Sequence, residues 1–116
     1  MTAPVFELFA TEDDNDVELE CQLLAGGAAV DLTTATDVDF VFKNRQNGTT
    51  TTVAGTIVTA ASGIVNVTLT STHLASPGAC DCVWVVTFTG GAIRTFPTAP
   101  TVDGAVGLLH ITPKLA

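Results

Sequence analysis

An all-β antiparallel sandwich is the fold this sequence predicts, on three observations. Apolar and polar residues alternate with a period of two in several short runs, which is the signature of half-buried strands. Turn residues punctuate those runs about every eight to twelve positions, as in sandwiches and barrels. Val, Thr and Ala dominate while aromatics make up 6% and Tyr is absent, a composition suited to an aliphatic β core. With 116 residues and an apolar fraction of 47%, the chain is expected to form one domain over 1–116.

Residues 4–9 form the first expected strand, followed by an exposed turn in the acidic Glu12 to Asp16. Val17, Leu19, Cys21 and Leu23 then alternate with Glu18, Glu20 and Gln22, the clearest half-buried strand, which ends in Ala25-Gly26-Gly27-Ala28. Asp31 and the neighbouring threonines turn the backbone through side-chain hydrogen bonds. They lead into a strand whose Val38, Phe40 and Phe42 share a face. Asn47-Gly48 marks a hairpin into the Thr-rich segment 49–59.

After Ser62-Gly63, Val65, Val67 and Leu69 share the face of another strand. Ser71 to Ser76 is expected as one helical turn capped by Ser71. Then Cys80, Cys82, Trp84, Val86 and Phe88 line one side of a long strand, with Asp81, Val83, Val85 and Thr87 on the other. Thr89-Gly90-Gly91 reverses the chain and Pro97 stops the return strand. A loose connection, 99–104, precedes a last strand over 106–112, stopped by Pro113. The expected core is Leu19, Cys21, Leu23, Val38, Phe40, Phe42, Val65, Val67, Leu69, Trp84, Val86 and Phe88.

Three stretches carry a resemblance: VDLTTATDVDFVF from Val30 to Phe42, SGIVNVTLT from Ser62 to Thr70, and PGACDCVWVVTF from Pro77 followed by GGAIRTFP ending at Pro97. Their order resembles the immunoglobulin-like N-terminal domain of the phage baseplate upper protein family and related small tail proteins. The resemblance covers roughly residues 15–112. It implies an immunoglobulin-like antiparallel β-sandwich of about seven or eight strands with one short helical turn. The chain departs from the pattern at Asp13 to Asp16, where the family often has Gly-Asp-Thr, and at Cys80, where an aromatic is common. Such proteins usually continue into a fibre or receptor-binding region, whereas this sequence stops at Ala116.

Four basic residues against twelve acidic ones give a net charge of −8, so the summed field repels phosphate backbones and anionic lipids. Neither nucleic acid nor membrane is expected as a partner. No basic start followed by an unbroken apolar run opens the sequence, and no run approaches the roughly twenty residues of a membrane span. Synthesis in the host cytoplasm without a signal peptide is the expectation.

Cys21 and the pair Cys80 and Cys82 fall on inward faces of strands that oppose each other in such a sandwich, so one disulfide from Cys21 to either is sterically allowed. A reducing cytoplasm argues instead for free core thiols. Zinc would need His73 or His110 as a further ligand, and a Cys-x-Cys strand pair lacks the usual knuckle spacing. Glu12, Asp14 and Asp16 alternate like calcium-loop ligands, but Val17 stands where that loop needs glycine and no twelfth-position glutamate follows. No nucleophile elbow or phosphate loop occurs. No metal, cofactor or catalytic activity is expected.

Val41, Val83 and Val85 lie on the outward sides of strands whose inward sides already supply the core, and form the expected partner-contact face. The resemblance implies a non-enzymatic virion protein that docks on other phage virion proteins in many copies, at the tail or baseplate first. A capsid decoration protein is the alternative, and a sugar- or calcium-binding adhesion module a more remote one, disfavoured by the scarcity of exposed aromatics.

Overall fold

Two β-sheets pack face to face in the computed structural model, which describes residues 7–25, 28–96 and 107–114. The strands are β1 (Glu7–Thr11), β2 (Val17–Gln22), β3 (Leu24–Ala25), β4 (Ala28–Ala29), β5 (Ala35–Asn44), β6 (Thr50–Ala54), β7 (Thr56–Thr59), β8 (Ile64–Leu69), β9 (Gly78–Phe88), β10 (Ile93–Phe96) and β11 (Gly107–Thr112). The larger sheet runs β1-β11-β9-β5-β6 with β10 also on β9, and the smaller runs β2-β8-β7. The chain is therefore an immunoglobulin-like β-sandwich, with more strands than the seven or eight expected. The surplus comes from the two-residue pair β3 and β4 and from the Thr-rich segment, which is two strands, β6 and β7.

The return strand and the last strand share one edge of β9, the edge away from β5. β5 covers Cys80 to Phe88 along one edge of β9, while β10 pairs with Trp84 to Thr87 and β11 with Gly78 to Cys82. β10 and β11 thus occupy successive halves of the other edge of β9, as one interrupted strand. Pro97 and residues 99–104, expected to end and to leave that strand, lie outside the described residues. β1 runs parallel to β11, a departure from the all-antiparallel expectation. The first strand also begins at Glu7 among the described residues and extends to Thr11.

The Thr-rich segment 49–59 is one hairpin arm in sequence but two strands in space. Its first half, β6, pairs with β5, and its second, β7, pairs with β8 in the opposite sheet. The change of sheet falls at Gly55, whose N–H donates to Val38 O at 2.8 Å. Asn47-Gly48 does turn β5 into β6, with Gly48 at φ 73° and Asn44 N–H bonded to Thr49 O at 3.0 Å.

At Ser71 to Ser76 the chain makes a single hydrogen-bonded turn rather than a helix, and Ser71 is not its cap; the Ser71 N–H donates to Asn15 Oδ1 at 3.2 Å. The short helix is a 3₁₀ turn at Ala60–Ser62, closed by Gly63 in the left-handed region at φ 68°. Leu74, fully buried, closes the single turn at Ser71 to Ser76, its N–H donating to Thr70 O at 3.2 Å, and no second such bond among the described residues extends it into a helix.

Period-two alternation delivers the core as expected from Leu19, Leu23, Val38, Phe40, Phe42, Val65, Val67, Leu69, Trp84 and Val86, whereas Cys21 and Phe88 are only partly buried against it. Ala10, Val30, Leu32, Leu74, Cys80, Cys82, Phe96, Leu109 and Ile111 complete it among the described residues. Trp84 is fully buried, with its ring 4.7 Å from that of Phe40. Each large aliphatic side chain removed from water in this way contributes about 1.5–3 kcal/mol before chain entropy is subtracted.

Candidate docking surface

Strand pairing places the outward residues of the larger sheet in rows. Val41 stands opposite Val83, Asp39 opposite Val85, and Thr95 opposite Val85 on the other side. All three valines are half-buried and share the face turned away from the core. The same face continues through Leu108 opposite Asp81, His110 opposite Ala79, and Phe9 opposite His110. Ile93, opposite Thr87, adds a side chain that is 65% exposed, and Phe9 is 64% exposed.

Phe9, Leu108 and Ile93 escape sequence reasoning for a definite reason. Apolar residues fall on both parities of β11, with Leu108 alternating against Leu109 and Ile111, so periodicity alone does not say which side faces water. Only the long-range pairing with β1 and β9 settles it.

Charge frames this apolar strip. Arg45 donates through Nε and Nη2 to Asp81 Oδ1 at 2.9 and 2.7 Å, and Asp81 pushes the guanidinium further up from its ordinary range. His110 Nε2 lies 2.7 Å from Glu7 Oε2 while its ring stacks on Phe9, centroids 4.8 Å apart and planes within 10°. Both contacts are largely solvent-exposed, where such pairs orient side chains more than they stabilise the fold. Asp37 and Asp39 add negative charge along β5, without an ion-pair partner among the described residues.

The remaining candidates separate in space. Cys80 and Cys82 are buried and Cys21 half-buried on the inner faces, all three as free thiols. Burial raises each: Cys21 is pushed up to about 11, offset in part by the Trp84 indole, and Cys80 and Cys82 also rise through desolvation. These are protonated core thiols, the opposite of activated nucleophiles. His110 sits on the outer face and His73 accepts the Thr70 N–H through Nδ1 at 3.0 Å, so neither joins the cysteines. His73 is half-buried rather than freely solvated.

The acidic turn is exposed, and its backbone is tied down: Glu12 N–H donates to Thr112 O at 2.8 Å and Asp13 N–H to Leu74 O at 3.0 Å. Asp13 and Asp16 adopt positive φ, and Lys114 Nζ pairs with Asp13 Oδ2 at 2.8 Å. Among the described residues no group of three or more His, Cys, Asp or Glu side chains is arranged to hold a metal ion. No helix of the described residues is long and apolar enough to cross a membrane. Compared with models of known protein families and with curated proteins, the chain matches none.

Proposed function

We propose that this protein is a non-enzymatic structural component of a phage virion, a docking module that joins a larger tail or baseplate assembly. The observation that carries the reading is the outward strip of the larger sheet, where Val41 and Val83 face each other across β5 and β9 and Val85, Leu108 and Phe9 extend the apolar surface. A sheet face of this kind is expensive to leave in water and gains from being covered by a partner. Its flanking charges, Asp37, Asp39 and the Arg45–Asp81 pair, would set orientation and exclude wrong partners. The resemblance of the 30–42, 62–70 and 77–97 stretches to baseplate upper proteins supplies the phage context.

The mechanism is burial without chemistry. A stable contact takes about 800 Å² from each partner, and many copies in symmetric array convert weak single contacts into lasting attachment. Co-sedimentation of the purified protein with separated tails and with empty capsids tests this, beside mass spectrometry of purified particles. Binding to tails is the expected result, and binding to capsids alone would reassign the module to head decoration. Absence from purified particles, with no binding to either fraction, would sink the reading.

A further inference from the structure

At one end of the sandwich the β5–β6 turn, the segment from Thr70 to Pro77 and the end of β11 enclose a cleft of about 100 Å³. Its floor is apolar, from the buried Phe42 and Ile111. Its walls are Asn47, Thr49, Thr51, Thr72, His73 and Ser76, and none of the lining side chains is a carboxylate, ammonium or guanidinium.

The cleft is braced from within. Asn44, a buried polar residue, accepts the Gln46 N–H at 2.8 Å and the Asn47 N–H at 3.4 Å through Oδ1, and donates through Nδ2 to Ser76 O at 3.3 Å. One amide thus fixes both loops. His73 Nδ1 accepts the Thr70 N–H at 3.0 Å and lies 3.2 Å from Thr70 Oγ1, which leaves Nε2 as the ring nitrogen without a protein partner among the described residues. Asn47 Oδ1 is used by the Thr49 N–H at 2.8 Å. Among the described residues, the Asn47 amide nitrogen, His73 Nε2 and the hydroxyls of Thr49, Thr51, Thr72 and Ser76 are committed to no protein partner.

The lining favours one class of ligand. An anion finds no cation in the lining and meets a protein of net charge −8. A cation finds no carboxylate there. An apolar group would strip water from hydroxyls and amides and return no hydrogen bonds. A neutral group bearing several hydroxyls over a less polar ring face satisfies both walls and floor, and the volume suits one edge of a ring rather than a drug-sized molecule.

We propose that this cleft binds one unit of a neutral saccharide, weakly per site, with Asn47, His73 and the threonine hydroxyls reading its hydroxyl groups. The site is separate from the outer sheet face and stands whether or not the chain belongs to a particle. Repeated copies on a surface would raise such binding through multivalency.

The test is amide chemical-shift mapping of the ¹⁵N-labelled full chain titrated with the methyl glycosides of glucose, galactose, mannose and N-acetylglucosamine, with glucuronate and glycerol as controls. Saturable shifts centred on Asn47, Thr49, Thr51, Thr72 and His73 with at least one neutral glycoside are expected. Thr72→Val, an exposed near-isosteric change, should weaken that binding about fivefold or more, the loss of roughly one hydrogen bond, while amides elsewhere keep their positions. No saturable shift with any of the four glycosides, equal shifts with glycerol, stronger binding of glucuronate, or shifts confined to the outer face of β5 and β9 would each overturn the proposal.

Discussion

Phe40 of β5 and Trp84 of β9 are register partners whose rings meet in the middle of the core, 4.7 Å apart and tilted by 49°. This pair joins the two central strands of the larger sheet on its inner side, directly behind the valines of the outer strip. The indole Nε1–H of Trp84 is sealed there without a hydrogen-bond partner of ordinary geometry. The neighbouring Cys21 thiol is a weak acceptor, and the indole tempers the rise that burial imposes on it.

Trp84→Ala should destabilise by about 3–5 kcal/mol, since it removes the largest buried side chain and leaves a cavity. Trp84→Phe should cost clearly less, because the smaller cavity is partly offset by loss of the orphaned donor. Urea unfolding followed by circular dichroism measures both. A Trp84→Phe loss as large as that of Trp84→Ala would contradict this account.

The buried thiols predict a decline of stability in alkali. Cys21 has a folded pKa of about 11 against 9.0 for an ordinary thiol, so the folded state holds its proton where the unfolded chain releases it. Stability from this source is complete below pH 9 and is lost as pH rises through about 11. Tyr is absent, and the other raised thiols, Cys80 and Cys82, and the raised Lys114 act in the same direction. Urea midpoints from pH 8 to 11 should therefore fall, and the fall should be shallower in Cys21→Ala. Parallel slopes in the two proteins would contradict the assignment.

Asn44 holds two loops with one side chain. Asn44→Ala should cost about 2–3 kcal/mol, from three lost hydrogen bonds and the backbone groups left unpaired beneath the surface. Amide exchange should quicken at Gln46 and Asn47 beyond the global change. Unaltered local exchange would mean that the loops hold their own shape.

Gly63 and Gly48 share a positive φ but not a neighbourhood. A Cβ at Gly63 would stand 2.6 Å from Val30 O, while at Gly48 it would meet nothing within 4 Å. Gly48→Ala should cost about 1 kcal/mol from backbone strain alone. Gly63→Ala should cost several times as much, because the contact is with backbone that has no rotamer to yield. Thermal unfolding of the two variants compares them directly.

Val83→Glu tests the outer strip without entering the core. The fold should survive with a loss of under about 1 kcal/mol, as expected of a substitution on a solvent-facing side. Binding to the particle fraction should fall at least tenfold. A variant that binds as well as the parent would move the contact elsewhere on the molecule.

The alternation of Val17 to Leu23, Val38 to Phe42, Val65 to Leu69 and Cys80 to Phe88 was enough to determine the strands, their inward faces and the sandwich class, because side-chain parity in a strand is a local property. The Asn47-Gly48 and Gly90-Gly91 turns were legible for the same reason, since positive φ selects glycine where it occurs. Pairing between distant segments is a different matter. Nothing local in Thr49 to Thr59 announces that β6 and β7 belong to opposite sheets, or that β1 runs parallel to β11. The outward position of Phe9 and Leu108 follows only from those pairings, and the cleft depends on Asn44 reaching Ser76 across 32 positions of sequence. Sequence fixes which side of a strand avoids water; only the folded sheets decide which strands stand side by side, and so which outward residues become one surface.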